Sequence, residues 1–360
     1  MKSYQIATIG GDGTGPEVIA EAIKVLNSLP KDVISFQFTD LPYNGTRYLK
    51  TGETLSDHEC AALQNFDAIL LGAIGHPDIK PGILEREILL KMRFQLDLFI
   101  NYRPVKLYPN VETPLKSATP ETIDYVVIRE NTGGLYTGKG SCTDKGTPNE
   151  MTTQIMEYSY AQVERCIRYA FQVALARQQQ GKPGRVTLCG KTNVLTYVYD
   201  LWERVLKAVN QDFPTITSDY VHVDAVCIYM IECPEKFDVI VTGNMFGDII
   251  TDLAATTQGG MGVAGSGNIN PYGVSMFEPI GGTAPAFTGK NEINPIAAIS
   301  AAHLMLEHLG EHKWAKQIEN AKQKTIAEMK SMQAGKMGLS TTEVGDRVVT
   351  HLTHACVTNG

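Results

Sequence analysis

Two carboxylates four residues apart, Asp248 and Asp252, stand in the segment Asn244-Met-Phe-Gly-Asp-Ile-Ile-Thr-Asp252, directly after the apolar run 239–242. On a helix that spacing puts both side chains on one face, with about 5–6 Å between their Cβ atoms. Two like charges so close destabilise the helix unless a cation or basic side chains lie between them. Oxygen-only ligation suits Mg²⁺ or Mn²⁺, which take a few carboxylates and complete their shells with water and substrate. Spacing by itself more often describes a solvated helix face. Position favours the metal, because α/β sheets bind ligands outside the carboxyl ends of their strands. Asp224, after the β-rich run 216–221, reads by itself as a helix N-cap, and as a third carboxylate only in company with the other two.

Four cationic side chains occupy comparable places. Arg93 precedes and Arg103 follows the strand-like run 98–102, Arg129 ends the run 125–128, and Lys191 follows the run 186–188. A single arginine at a strand end is usually a surface ion pair. Several converging arginines clamp carboxylates through two parallel hydrogen bonds each, which lysine cannot do. Lys191 is a candidate general base, and Tyr136, in the loop after Arg129, a candidate acid.

The elements that must carry these groups follow from pattern. Short apolar runs alternate with amphipathic ones, as expected of βαβ units around a largely parallel sheet. Strands are expected at 4–9, 68–71, 98–102, 125–128, 186–188, 216–221 and 239–242. Helices are expected from Pro16 to about residue 29, and over 84–94, 156–177, 195–209, 294–309 and 314–332. Residues 133–149, rich in Gly, Thr, Lys and Pro, read as a solvent loop or as a β-arm used in dimer contact. Residues 259–282 are punctuated by glycine. No linker separates domains cleanly, so a second domain is expected to be inserted: 1–100 with 259–360 as the cofactor-binding domain, and 101–258 as the substrate, metal and dimerisation domain.

The turn Gly10-Gly-Asp-Gly-Thr-Gly15 invites a dinucleotide fingerprint. A true G-x-G-x-x-G would need glycine where Pro16 stands, and the match fails. The stretch Glu278-Pro-Ile-Gly-Gly-Thr-Ala-Pro285 is the better place for a backbone to approach adenine and ribose closely. With 43% hydrophobic residues over 360, the chain has material for a core without disulfides. A net charge of −7 argues against nucleic-acid or acidic-membrane partners. Seven scattered cysteines without a C-x-x-C pair point to reduced thiols in the cytoplasm. No apolar stretch approaches the roughly 20 residues that span a bilayer.

Together these segments resemble the β-decarboxylating dehydrogenases, the family of isopropylmalate, isocitrate and tartrate dehydrogenases. The resemblance covers nearly the whole chain. It rests on Gly11-Asp-Gly-Thr-Gly-Pro-Glu17, Leu71-Gly-Ala-Ile-Gly75, Asn101-Tyr-Arg-Pro104, Arg129-Glu-Asn-Thr-Gly-Gly-Leu-Tyr136, Lys191-Thr-Asn193, the segment from Val241 to Asp252, and Phe277-Glu-Pro279. It implies two open α/β domains with a large mixed sheet and a cofactor site that is not of the Rossmann kind. It assigns Arg93, Arg103 and Arg129 to substrate carboxylates, Tyr136 and Lys191 to acid and base, and Asp224, Asp248 and Asp252 to Mg²⁺ or Mn²⁺. Thr14, Ile74, Glu278, Gly282, Thr283, Ala284, Pro285, Ala286, Phe287 and Asn294 fall to NAD. It also implies a homodimer with shared active sites, in which Lys191 and Asp224 reach into the partner's site.

Substrate choice is expected one turn before Arg93. Isocitrate enzymes place Ser and Asn there to hold a third carboxylate, whereas this chain has Leu89 and Leu90. A desolvated carboxylate among leucines is costly, so an alkyl-substituted malate is favoured, 3-isopropylmalate first. Benzylmalate, methylmalate, tartrate and malate remain as alternatives, and a non-catalytic regulatory subunit as a remote one. Arg86 stands where many isopropylmalate enzymes carry Glu. The family motif H-G-S-A-P-D reads Gly281-Gly-Thr-Ala-Pro-Ala286 here, without the carboxylate that accepts from the ribose and repels a 2′-phosphate.

Overall fold

The computed structural model describes residues 2–357, with side chains through residue 353, so Cys356 lies outside the described side chains. The chain opens with β1 (Lys2–Gly11), α1 (Gly15–Asn27), β2 (Ile34–Asp40), α2 (Gly45–Thr51), α3 (Asp57–Ala62) and β3 (Ala68–Ala73). A π-helical stretch, Glu85–Leu90, continues into α4 (Lys91–Gln95) and β4 (Ile100–Lys106). Then come β5 (Asp124–Glu130), the hairpin β6 (Gly140–Thr143) and β7 (Met151–Gln154), α5 (Tyr160–Gln179), β8 (Arg185–Gly190), α6 (Thr196–Asn210) and β9 (Thr217–His222). They are followed by α7 (Val223–Glu232), β10 (Val239–Thr242), α8 (Asn244–Thr257), β11 (Gly265–Ile269), β12 (Ser275–Pro279), α9 (Ile296–His308), α10 (His312–Glu328) and α11 (Thr341–Val357).

These elements form two compact units. The first takes the described chain up to Leu98, Pro104–Pro120, and the chain from Ala255 onward. Its strands run β2-β1-β3-β12-β11, parallel except for the antiparallel pair β11–β12. The second takes Phe99–Arg103 and Glu121–Ala254, and its strands run β5-β10-β8-β9, all parallel. The fold is therefore α/β with a mixed sheet. The central strands β3 and β10 are buried along their whole length, which is why they read as unbroken apolar runs. On α1, Pro16 sits in the first turn and Val18, Ile19, Ala22, Val25 and Leu26 form the buried stripe.

Several expected elements change on inspection. The helix expected over 156–177 starts at Tyr160, because Ser159 and Gln162 form a reciprocal capping box. The helix expected to reach 332 stops at Glu328, and Met329 is extended. The stretch 84–94 is not one α-helix, since its first turn is π-helical and Lys91 N–H donates to Arg86 C=O. Of the two readings of residues 133–149 the β-arm is the one found: they contain the start of a hairpin, and both of its strands are exposed. The glycine-rich 259–282 hides β11 and β12. There a Cβ on Gly265 would come within 2.7 Å of the Ala301 backbone nitrogen, so α9 can pack closely only against a bare backbone.

Candidate active site

In the second unit β5 and β10 are parallel neighbours with Arg129 opposite Thr242, so Arg129 emerges beside the first turn of α8. It is 1% exposed. Its Nε and Nη2 donate to Asn244 Oδ1 at 3.0 and 2.7 Å, and its Nη1 pairs with Asp248. The arginine lies flat on the helix because residue 247 is glycine; a Cβ there would approach Arg129 Cγ to 2.5 Å. The other Asp248 oxygen accepts the Tyr136 hydroxyl at 2.6 Å. The Arg129 guanidinium also lies 5.1 Å from the Tyr136 ring centre.

Asp252, one turn further along α8, is 3.7 Å from Nη1 of Arg103. Arg103 is buried and also donates to Asn101 Oδ1 at 2.7 Å and Thr251 Oγ1 at 3.1 Å. The like-charge cost of the Asp248/Asp252 pair is thus met by two arginines from other elements. Burial pushes the Asp248 carboxyl up, but Arg129, the Tyr136 hydroxyl and Arg103 together hold it below the usual carboxylate range.

Lys191 follows β8, and its Nζ lies 2.5 Å from Asp224 Oδ1. Asp224 sits in the first turn of α7 with His222 in the cap position, so it is not the N-cap. The Lys191 hydrogen bond lowers its carboxyl further below the ordinary value. Among the described residues of one chain no three His, Cys, Asp or Glu side chains gather as a metal site. Asp248 and Asp252 share α8, whereas Asp224 keeps company with Lys191. Two hard carboxylates on one helix face remain a donor set suited to Mg²⁺ or Mn²⁺.

In the first unit Arg93 is buried, and its Nη2 donates to Glu278 Oε1 at 3.3 Å. The same oxygen accepts Asn268 Nδ2 at 2.7 Å. Leu89 and Leu90 are half-buried on the π-helical stretch, Leu89 against the core cluster around Ile88 and Met92. Arg86 is exposed and pairs with Glu87.

A cavity of about 440 Å³ opens in this unit, and Thr14, Gly282, Ala284, Phe287 and Asn294 are among its lining residues. Val18, Met261, Ile293 and Met332 supply apolar walls that sequence reasoning missed, although the glycines at 259, 260 and 262 signal a close approach. The lining contains no charged side chain, so it suits a flat, largely apolar group such as a nucleoside base. The other residues expected at the cofactor serve neighbouring parts. The Thr283 carbonyl accepts both the N–H and the hydroxyl of Thr14, at 2.9 and 3.2 Å. Ile74 packs against the core cluster, and Pro285, Ala286 and Phe287 form a short 3₁₀ turn. The Gly10–Gly15 turn is glycine-rich for a packing reason. Gly13 has φ +58°, and a Cβ on it would lie 2.1 Å from the Thr283 oxygen.

The family model for isocitrate/isopropylmalate dehydrogenase matches residues 5–348. A 3-isopropylmalate dehydrogenase of Corynebacterium aurimucosum is 48% identical over 97% of this chain and 99% of its own length. One of Thermobifida fusca is 45% identical over 96% and 97%. A solved isocitrate dehydrogenase from Methylococcus capsulatus superposes with a TM-score of 0.85 at 30% identity, covering 97% of this chain and 99% of that one.

Proposed function

The chain belongs to the isocitrate/isopropylmalate dehydrogenase family, and from that premise we propose that it oxidises and decarboxylates 3-isopropylmalate to 2-oxo-4-methylpentanoate, a step of leucine biosynthesis. The carrying observation is the cluster in which Arg103, Arg129 and Tyr136 converge on Asp248 and Asp252. NAD and a Mg²⁺ or Mn²⁺ ion, when bound, would supply a hydride acceptor for C2 and a Lewis acid for the 2-oxygen. Every other role falls to this chain's residues.

Arg93, Arg103 and Arg129 take the malate carboxylates. Lys191 accepts the hydroxyl proton as the C2–H bond is broken. The C3–carboxylate bond then breaks, CO₂ leaves, and its electron pair forms the enolate. Tyr136 returns a proton to the carbon; its hydroxyl donates to Asp248 from a short turn. Asp248, Asp252 and Asp224 hold the metal. Leu89 and Leu90 meet the isopropyl group.

Asp224 and Lys191 act in the site of a second copy of the chain. Support comes from the apolar residues left exposed on the same unit: Ile228 and Ile231 on α7, Ile249 on α8, and Met151 and Ile155 at the hairpin. A homodimer covers them. Among the described residues six cysteines are free and no helix is long and apolar enough to cross a membrane, in keeping with a cytoplasmic enzyme.

One panel tests this reading: 3-isopropylmalate, benzylmalate, tartrate and isocitrate, each with NAD and NADP, before and after chelation. We expect 3-isopropylmalate with NAD to lead, and activity to vanish on chelation and return with Mg²⁺ or Mn²⁺. A preference for isocitrate or tartrate overturns it.

A further inference from the structure

We propose that Asn244 is a positioning residue that fixes Arg129 and the Tyr136 turn without adding a second counter-charge to the arginine. The inference rests on the reading of Arg129 and Tyr136 as reaction groups. Asn244 is the first residue of α8 and is 1% exposed. Its Oδ1 accepts two hydrogen bonds from Arg129, at 3.0 and 2.7 Å. Its Nδ2 donates to the Gly133 carbonyl at 3.1 Å. Its backbone N–H donates to the Tyr158 hydroxyl at 2.8 Å.

These bonds fix the choice of side chain. The guanidinium demands an acceptor and the Gly133 carbonyl demands a donor, so one short side chain must offer both. A carboxylate of the same shape lacks the donor. It would also place a second negative charge on Arg129, which already pairs with Asp248. The neutral amide orients the guanidinium without cancelling its charge, which stays available to Asp248 and to an incoming carboxylate.

Tyr158 completes the arrangement from below. A Cβ on Gly134 would come within 2.3 Å of its hydroxyl, and one on Gly133 within 2.7 Å of its ring. The turn that carries Tyr136 therefore rests on the same phenol that caps α8. Residues 133–134, Arg129 and the start of α8 are held in one register by Tyr158 and Asn244, and Tyr136 and Asp248 inherit it.

The test is Asn244→Asp, with Tyr158→Phe as a second variant that keeps the ring and removes only the hydroxyl. Backbone hydrogen exchange over residues 132–137 is read by mass spectrometry without any substrate, and KM and kcat are measured alongside. In Asn244→Asp exchange over this segment should rise at least about threefold, from the lost Gly133 bond. The KM for the hydroxy-dicarboxylate should rise about tenfold or more, from the neutralised Arg129, while the KM for NAD stays within about twofold. Tyr158→Phe should speed exchange over 132–137 and leave the substrate KM nearer the parent's. Unchanged exchange in both variants overturns the positioning role whatever the kinetics. If the parent protein does not turn over 3-isopropylmalate but Asn244→Asp still loosens 132–137, the substrate reading falls and the positioning role stands.

Discussion

Acidifying the protein from about pH 7 to about pH 5 should weaken its first unit, and His303 should account for a defined share of the loss. His303 lies on α9, with Glu307 on the same helix, Lys316, Glu319 and Lys322 on α10, and Lys106 on β4 around it. Burial and then Lys322 push its pKa down from 6.5 to about 4. The imidazole is thus neutral when folded, whereas the unfolded chain accepts a proton near 6.5. The stabilisation is present above the unfolded value and is lost as pH falls towards the folded one.

With those two values the free-energy difference between about pH 7 and about pH 5 is about 2 kcal/mol. Other groups titrate nearby: burial raises Glu21 and Glu130, which works in the opposite direction, and lowers His308, which works in the same one. Only a difference between two proteins isolates His303. Urea unfolding of the parent and of His303→Gln at both pH values provides it. With a slope of about 2 kcal/mol per molar, the parent's midpoint should fall by about 1 M more than the variant's. Parallel shifts in the two proteins would refute the argument.

Gly134→Ala meets a left-handed φ of +70° and the Tyr158 hydroxyl together, and should cost about 2–4 kcal/mol. A melting temperature within a degree of the parent's would sink that reasoning. Lys191→Ala should lower kcat by about 10²–10⁴ and leave the melting temperature nearly unchanged, because its Asp224 partner is solvent-exposed. Parent-like turnover would reject Lys191 as the base. Ala286→Asp restores a carboxylate on the exposed 3₁₀ turn, and should raise the kcat/KM ratio of NAD over NADP by about tenfold. An unaltered ratio would remove this turn from ribose recognition.

The residues with chemistry were easier to read in the sequence than the residues that hold them. Asp248, Asp252, Arg129 and Lys191 stand out as candidates only as a group, because they gather at the carboxyl ends of strands, where α/β sheets bind ligands. Asn244, Asn101 and Thr251 give no such signal. They are small and neutral, and only the fold reveals that buried guanidinium groups depend on them. Periodicity located most strands of the second unit, where a parallel sheet covered on both faces demands continuous apolar runs. It failed at β11, whose Gly and Ser residues record the closeness of α9 rather than any β preference. It also smoothed over the π turn at Glu85–Leu90, because one extra residue per turn barely alters an apolar count. The cavity wall at 332–334 escaped for a related reason, since amphipathic spacing persists past the point where α10 ends.

Charge balance in the second unit bears on the substrate. Arg103, Arg129 and Lys191 face Asp252, Asp248 and Asp224, so three positive groups stand against three negative ones and the set is neutral. Buried guanidinium groups left without counter-charges would be expensive, as would two aspartates four residues apart without cations. Each set makes the other tolerable while the site waits. A divalent cation taken up by the aspartates adds two positive charges, and the arginines then lack their partners. A malate, with two carboxylates, returns the balance to zero; a tricarboxylate brings one negative charge beyond it. On the proposed reading, the same balance that offsets Asp248 and Asp252 favours a doubly charged substrate over a triply charged one.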